Sequence, residues 1–158
     1  MVSWRPATGR ARVPYDDLIE EALCFGWVDS TSRTLDDERG ALWFARRKPG
    51  SGWARTNKTR VEKLEAAGLL EEPGRRVIDA AKADGSWTLL DDVEDLRLPP
   101  DLEEAFAQHP GSKNTWEAFP PSAKKLALTW IVQARRPGTR AKRVEAVASR
   151  AQAGERAP

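Results

Sequence analysis

Residues 14–30 read P-Y-D-D-L-I-E-E-A-L-C-F-G-W-V-D-S, and residues 42–57 read L-W-F-A-R-R-K-P-G-S-G-W-A-R-T-N. The first stretch predicts a helix from Pro14 to Phe25, because a proline opens it, two aspartates fill its first turn and Gly26 ends it. Apolar side chains recur along one side of this helix, at Tyr15, Leu18, Ile19, Ala22 and Leu23. We therefore expect a helix that packs against whatever the following residues form.

The residues that follow predict a β-hairpin. Stretches 27–34 and 41–46 carry β-branched and aromatic side chains, and they flank the polar turn 36–40. Ser3, Trp4 and Arg5 are typical of the end of a further, short strand. A small antiparallel sheet beside a helix follows from this order.

Most of the remaining chain has helical periodicity. A helix with Asn57 as its N-cap is expected to end before Gly68, and another spans 73–82, before the acidic stretch 89–100, which we interpret as a surface linker. Three further helices with apolar faces follow a helix at 100–108, and their predicted caps are Ser112, Ser122 and Thr139.

This order of elements predicts an α+β fold, in which a short antiparallel sheet packs with helices and an all-helical C-terminal lobe follows. The predicted organisation is a helix-hairpin-loop region at 1–88, a linker at 89–99, a helical region at 100–152 and a tail at 153–158.

Charge in this 158-residue chain alternates in blocks. The total is nearly balanced, with 26 basic and 24 acidic residues. Residues 15–38 and 71–104 each have a net charge of −7, whereas residues 39–63 and 120–158 each have +7. The blocks either pair with one another inside the fold or leave a basic face open to an external anion.

Side chains that commonly carry catalysis are scarce. The one cysteine, Cys24, sits near the end of the predicted helix among acidic residues, which disfavour a thiolate, and the one histidine, His109, lies at a helix end. No nucleophile and base pair, nucleotide fingerprint or metal-ligand spacing is present. We expect no cofactor and no metal, and a non-catalytic role is favoured over an enzyme.

The loop 48–52 is the nearest approach to an anion site. It follows Arg46 and Arg47, and it precedes a predicted helix start, so amide groups, a hydroxyl and guanidinium groups are expected to meet one anion. The predicted ligand-binding residues are Asp29, Arg46, Arg47, Ser51, Trp53 and Asn57. The alternative is that Trp53 and the glycines are structural, and that Asp29 bonds to backbone or pairs with Arg46 or Arg47.

The C-terminal helices offer a second basic surface that could contact nucleic acid or an acidic protein. Its side chains are Lys124, Lys125, Arg135, Arg136, Arg140, Lys142, Arg143 and Arg150. Acidic segments upstream are the alternative, internal partners. A single cysteine, no leader pattern and no apolar run of membrane-spanning length predict a cytoplasmic protein.

Several strings resemble the bacterial YdeI/OmpD-associated family. They are E-E-A-L-C-F-G-W-V-D-S, F-A-R-R-K-P-G-S-G-W-A-R-T-N-K and A-K-A-D-G-S-W in the first half, then P-P-D-L-E-E-A-F and W-I-V-Q-A-R-R-P-G-T-R-A-K-R-V. The resemblance implies a small α+β protein with a helical C-terminal region, and its name suggests envelope association and protection against bacteriocins. Family members begin earlier, with a helix and a complete strand, so we expect the first strand here to be short.

These observations favour a binding or protection module that recognises a small anion through its basic loop. The alternative is an interaction protein that uses its basic C-terminal helices.

Overall fold

The computed structural model describes residues 1–157, and the backbone contacts divide the chain into two compact units, 1–87 and 88 onward. We call these the N-terminal and C-terminal units. Pro158, the last residue of the predicted tail, lies outside the described residues.

The N-terminal unit contains a three-stranded antiparallel sheet and three helices. Its strands are β1 (Val2–Trp4), β2 (Trp27–Thr34) and β3 (Arg39–Arg46), in the order β1-β3-β2. A short 3-10 turn at Pro6–Thr8 leads to α1 (Tyr15–Cys24), and α2 (Arg55–Ala66) and α3 (Glu72–Ala83) follow the sheet. The predicted hairpin is confirmed, with Trp27 opposite Arg46 and an irregularity between Asp29 and Ser32.

The described part of the C-terminal unit, residues 88–157, contains helices and no strand. Its helices are α4 (Asp91–Glu94), α5 (Pro100–Gln108), α6 (Ser112–Ala118), α7 (Pro121–Val132) and α8 (Pro137–Gln152). The α+β fold class is therefore confirmed. Part of the stretch interpreted as a surface linker is helical, and Val93 within it is buried, because its apolar side chain and three leucines pack against the core of this unit.

Each unit has its own hydrophobic core. The N-terminal core collects buried side chains from the three helices and the loop before α2, among them Ile19, Leu23, Cys24, Trp53, Val61 and Ile78. The C-terminal core is formed mainly by α5 to α8, with Leu102, Leu128, Ile131, Val147 and Ala148 at 1% exposure or less.

All four predicted side-chain caps are wrong. Asn57 is the third residue of α2, which begins after Ala54, and Ser112 is the first residue of α6, after Gly111. Ser122 and Thr139 likewise lie inside α7 and α8. Prolines open those two helices instead, because proline has the φ of a helix and lacks the N–H that a cap would satisfy.

The end of α1 is held by close backbone contacts to α3. Cys24 O accepts a hydrogen bond from Glu71 N at 3.1 Å, and a Cβ on Gly74 would lie only 2.3 Å from the same oxygen. Gly26 follows with φ of +74°, where a Cβ would lie 2.8 Å from Val77 Cγ2. Two glycines thus allow the chain to turn from α1 into β2 directly beneath α3.

Within residues 1–157, no helix is both long enough and apolar enough to cross a bilayer.

Candidate anion-binding site

A cavity of about 410 Å³ opens in the N-terminal unit where the end of α1, the hairpin, the 48–52 bend and α3 meet. Its volume lies in the range of small-molecule sites. Its walls combine aromatic and aliphatic side chains with a cluster of basic groups. The lining residues include Phe25, Trp27, Arg46, Arg47, Lys48, Ser51, Trp53, Arg76, Val77, Asp84 and Ser86.

Arg47 is the innermost cation of this cavity. Its guanidinium carbon lies 3.8 Å from the centroid of the Trp53 ring, and its Nη2 donates to Gly52 O at 2.5 Å. Its Nε is buried and has no hydrogen-bond partner in the described part of the chain. Burial lowers the pKa of Arg47 to about 10, against the opposing effect of Asp29. The group therefore stays charged at neutral pH while its charge is only partly compensated.

Two further cations stand at the mouth. The side chains of Arg46 and Lys48 are exposed and have no hydrogen-bond or ion-pair partner among residues 1–157. Arg76, which also lines the cavity, pairs with Glu72 at 3.0 Å. Asp84 is the one carboxylate in the lining, so four basic side chains face one acidic one.

The amide groups of the bend do not point to this cavity as predicted. Gly50 N donates to Asp84 Oδ2 at 3.2 Å, and Ser51 N donates to Lys48 O at 3.3 Å. No residue of α2 lines the cavity, so the positive end of that helix is not part of it either. Gly50, with φ of +70°, turns its amide toward Asp84. The bonds made by these two amides leave side chains as the main source of positive charge in this cavity.

Ser86 is a polar group that the sequence analysis missed. It is 5% exposed, it lines the cavity, and its hydroxyl makes no hydrogen bond of normal geometry within residues 1–157. The hydroxyl nevertheless lies near enough to Asp84 to be the main cause that lowers the pKa of that carboxyl. The string A-K-A-D-G-S-W contains this serine, but in the sequence it supports only the family resemblance.

Four of the six predicted ligand-binding residues lie around the same cavity: Arg46, Arg47, Ser51 and Trp53. Trp53 is 2% exposed and belongs both to the core and to the cavity wall, so the structural alternative for it is also realised. Asn57 lies elsewhere, and its Oδ1 accepts a hydrogen bond from Arg60 at 3.0 Å.

Asp29 also lies outside this cavity. It accepts a 2.7 Å hydrogen bond from the Tyr15 hydroxyl, and that bond is the main cause that raises the pKa of Tyr15. Neither Arg46 nor Arg47 forms the predicted salt bridge with it. Asp29 is opposite Phe44 in the sheet, and Tyr15 at the start of α1 reaches its carboxylate.

Cys24 is buried at the end of α1, and the acidic side chains of Glu20 and Glu21 lie beside it as the sequence predicted. Burial raises the pKa of its thiol, with smaller contributions from Glu21 and Glu71. The direction agrees with the predicted suppression of the thiolate, although the main cause is desolvation. Within residues 1–157, no group of three or more His, Cys, Asp or Glu side chains could hold a metal ion.

Half of the basic side chains predicted as a surface on the C-terminal helices have internal partners. Lys125 pairs with Glu94 at 2.5 Å, and Arg140 donates to both oxygens of Asp101 at 2.7 and 2.9 Å. Arg143 donates to Trp130 O, and Lys124 donates to Glu117 O at 2.8 Å. The exposed remainder is Arg135, Arg136, Lys142 and Arg150.

Two family models match this chain, and the boundary between the two matched regions lies close to the boundary between the two compact units. Residues 95–154 match the bacteriocin-protection, YdeI or OmpD-associated family. The predicted resemblance is confirmed over those residues. Residues 1–77, for which the same resemblance was expected, match a different model, described as a domain of unknown function (DUF8412). No curated protein and no solved structure gave a significant match.

Proposed function

We propose that the N-terminal unit is a non-catalytic module that binds a small anion in the cavity between the hairpin and α3. The observation that carries this proposal is Arg47, a half-buried cation that lines the cavity, has a buried Nε without a hydrogen-bond partner in the described residues and has no carboxylate partner of its own. A buried charge that lacks a partner is costly, and an incoming anion would relieve that cost. Arg46 and Lys48 at the mouth would add attraction that steers an anion inward.

A thermal-shift titration with a panel of inorganic anions and organic acids tests this proposal. We expect at least one anion to raise the melting temperature, and we expect Arg46→Ala to weaken its binding about tenfold, because a charge-assisted hydrogen bond contributes about 1.5–3 kcal/mol. Arg75→Ala is the matched control, since Arg75 is an exposed arginine on α3 that does not line the cavity. If the two substitutions weakened anion binding equally, the anion would be attracted by the overall positive charge and not by this cavity.

The protective role in the family description belongs to residues 95–154, and we extend it to this chain as part of the proposal. The proposal places the protein in the reducing cytoplasm, supported by Cys24, which is buried and forms no disulfide. Survival of bacteria that express the chain, compared with an Arg46→Ala strain under bacteriocin challenge, tests whether anion binding and protection are connected.

A second candidate function rests on the exposed cations of the C-terminal unit: Arg135, Arg136, Lys142 and Arg150. They lie at the start of α8 and along it, where they could contact the phosphates of a nucleic acid. Duplex binding that weakens steeply between low and physiological salt, and further in an Arg135→Ala, Arg136→Ala double variant, would favour it. If duplex binding by the unmodified protein and by the double variant did not depend on salt, this second candidate function would be excluded.

A further inference from the structure

We propose that the ligand of this cavity is a carboxylate attached to a flat apolar body, rather than a phosphate. This inference rests on the proposed anion-binding function and names the class of anion. It follows from which donors the cavity still offers, from its one acidic side chain and from its walls.

The donors left inside the cavity are few. The amides of Gly50 and Ser51 already have protein partners, and among the described residues Arg47 Nε and the Ser86 hydroxyl are the buried side-chain groups of this cavity without a hydrogen bond of normal geometry. Phosphate sites usually surround three oxygens with several amide or guanidinium donors. A carboxylate has two oxygens, and two inner donors with a cation at the mouth are sufficient for it.

Asp84 reduces the advantage that a dianion would otherwise have in this basic cavity. Its carboxylate lines the cavity and is fixed by Gly50 N and Ser86 N, at 3.2 and 2.8 Å. Repulsion between charges grows with the product of those charges, so a dianionic phosphate meets about twice the repulsion from Asp84 that a carboxylate meets.

The remaining walls suit an apolar ring. Phe25 and Trp27 line the cavity and are 44% and 39% exposed, so part of each apolar ring is still in contact with water. Val77 on α3 and Trp53 at the floor continue the apolar surface. A flat ring placed against these aromatic faces would remove them from water while its carboxylate reaches Ser86 and Arg47.

Calorimetric titration with four probes separates the contributions: naphthoate, naphthamide, acetate and naphthyl phosphate. We expect naphthoate to bind about tenfold more tightly than naphthamide, which lacks the charge, and more tightly than acetate, which lacks the ring. We expect naphthyl phosphate to bind more weakly than naphthoate. Ser86→Ala should weaken naphthoate binding about tenfold, from the loss of one hydrogen bond to the charged carboxylate.

The variants separate the inference of a carboxylate ligand from the proposed anion-binding function. Ser86→Ala removes a hydroxyl that makes no hydrogen bond of normal geometry within residues 1–157 and interacts only with the neighbouring Asp84 carboxylate, so we expect the fold to tolerate it, and Arg75→Ala again serves as the control. Tighter binding of naphthyl phosphate or inorganic phosphate, still weakened by Arg46→Ala, would overturn the carboxylate class and keep the anion site. Unchanged naphthoate affinity in Ser86→Ala would overturn the assigned inner contact. If none of the probes binds in an Arg46-dependent manner, both proposals fail.

Discussion

Ser86 and Arg47 occupy positions that lower the stability of the ligand-free fold, because both lose contacts with water. The buried Ser86 hydroxyl makes no hydrogen bond of normal geometry within residues 1–157, and only its interaction with the Asp84 carboxylate, whose pKa it lowers, offsets a desolvation cost of about 1–3 kcal/mol. Arg47 recovers part of its desolvation cost from the Trp53 ring and from Gly52 O. Groups of this kind are more common at binding sites than in ordinary cores, because a ligand supplies the missing partner.

We expect Ser86→Ala to change the free energy of unfolding of the ligand-free protein by less than about 1 kcal/mol, because the desolvation cost of the hydroxyl and its attraction to Asp84 are lost together. Urea denaturation measures this. Ser112→Ala is the matched control, since Ser112 is fully buried and its hydroxyl donates to Phe106 O at 3.3 Å, so its loss should cost about 1 kcal/mol. Equal destabilisation by the two substitutions would contradict the assignment.

His109 makes a second residue-level prediction, on pH. Its Nδ1 lies 3.0 Å from Gln152 Oε1 and its Nε2 lies 2.9 Å from Glu145 Oε1, so both ring nitrogens face acceptors when the ring is protonated. The contact with Gln152, followed by the charge of Glu145, raises the pKa of His109 above 6.5. The folded state therefore binds this proton more tightly than the unfolded state does.

The stabilisation from His109 should be complete below pH 6.5 and should decline as the pH rises through the folded-state pKa. Proton NMR can follow the titration without assignment work, because the chain has one histidine. We expect the midpoint to fall in the Gln152→Ala variant and, to a smaller extent, in Glu145→Gln. A midpoint at or below 6.5 in the unmodified protein would contradict the contacts described here.

At the scale of elements, the helix starts explain why local capping rules failed. Helices α3, α5, α7 and α8 have a proline among their first two residues, and none of them has a side-chain cap. A proline at that position removes one of the unsatisfied N–H groups, so a Ser or Thr nearby is not required to bond to it. The hydroxyl residues that resembled caps were one or two positions inside the helix.

Gly74 provides a prediction for the packing of α3 against α1. Alanine normally stabilises a helix by about 0.5–1 kcal/mol relative to glycine. Here a Cβ would lie 2.3 Å from Cys24 O and 2.8 Å from Leu23 O, which are backbone atoms that cannot rotate away. We expect Gly74→Ala to lower the free energy of unfolding by about 3 kcal/mol or more, measured by urea denaturation.

The control for this substitution is Gly138→Ala, which places a Cβ on α8 with no atom outside its own turn within 4 Å. Gly138→Ala should be neutral or slightly stabilising. Similar stability of the two variants would show that α3 does not approach the end of α1 this closely.

At the scale of the whole molecule, the alternating charge blocks pair inside each unit. Arg60 and Lys63 on α2 pair with Asp16 and Glu20 on α1 at 2.6 and 2.7 Å, which joins the first two blocks. The contacts of Lys125 and Arg140 with Glu94 and Asp101 join the last two. Such pairs contribute little each, about 0–1 kcal/mol, so their main effect is to determine which basic groups remain free.

The predicted division into regions remains a proposal, and a fragment tests it. Because the core around Leu102, Leu128 and Ile131 is formed within the C-terminal unit, we expect residues 88–158 alone to unfold cooperatively on heating. Leu102→Ala should lower the stability of the fragment by about 2–5 kcal/mol. A fragment without a cooperative transition would show that its core needs residues 1–87.

The α+β order, the hairpin, the position of helix 100–108 and the alternation of charge could be predicted from the sequence, because periodicity, turn residues and charge act between near neighbours in the chain. The location of Arg46, Arg47, Ser51 and Trp53 around one cavity also followed from their closeness in sequence. Tertiary structure decided the rest. Ser86 follows α3 in the chain and lines the cavity. Asp84 accepts a hydrogen bond from the amide of Gly50, and Asp29 accepts one from the hydroxyl of Tyr15. These contacts join residues that are far apart in the chain. Which polar groups bond to one another is therefore determined only when the helices pack against the sheet.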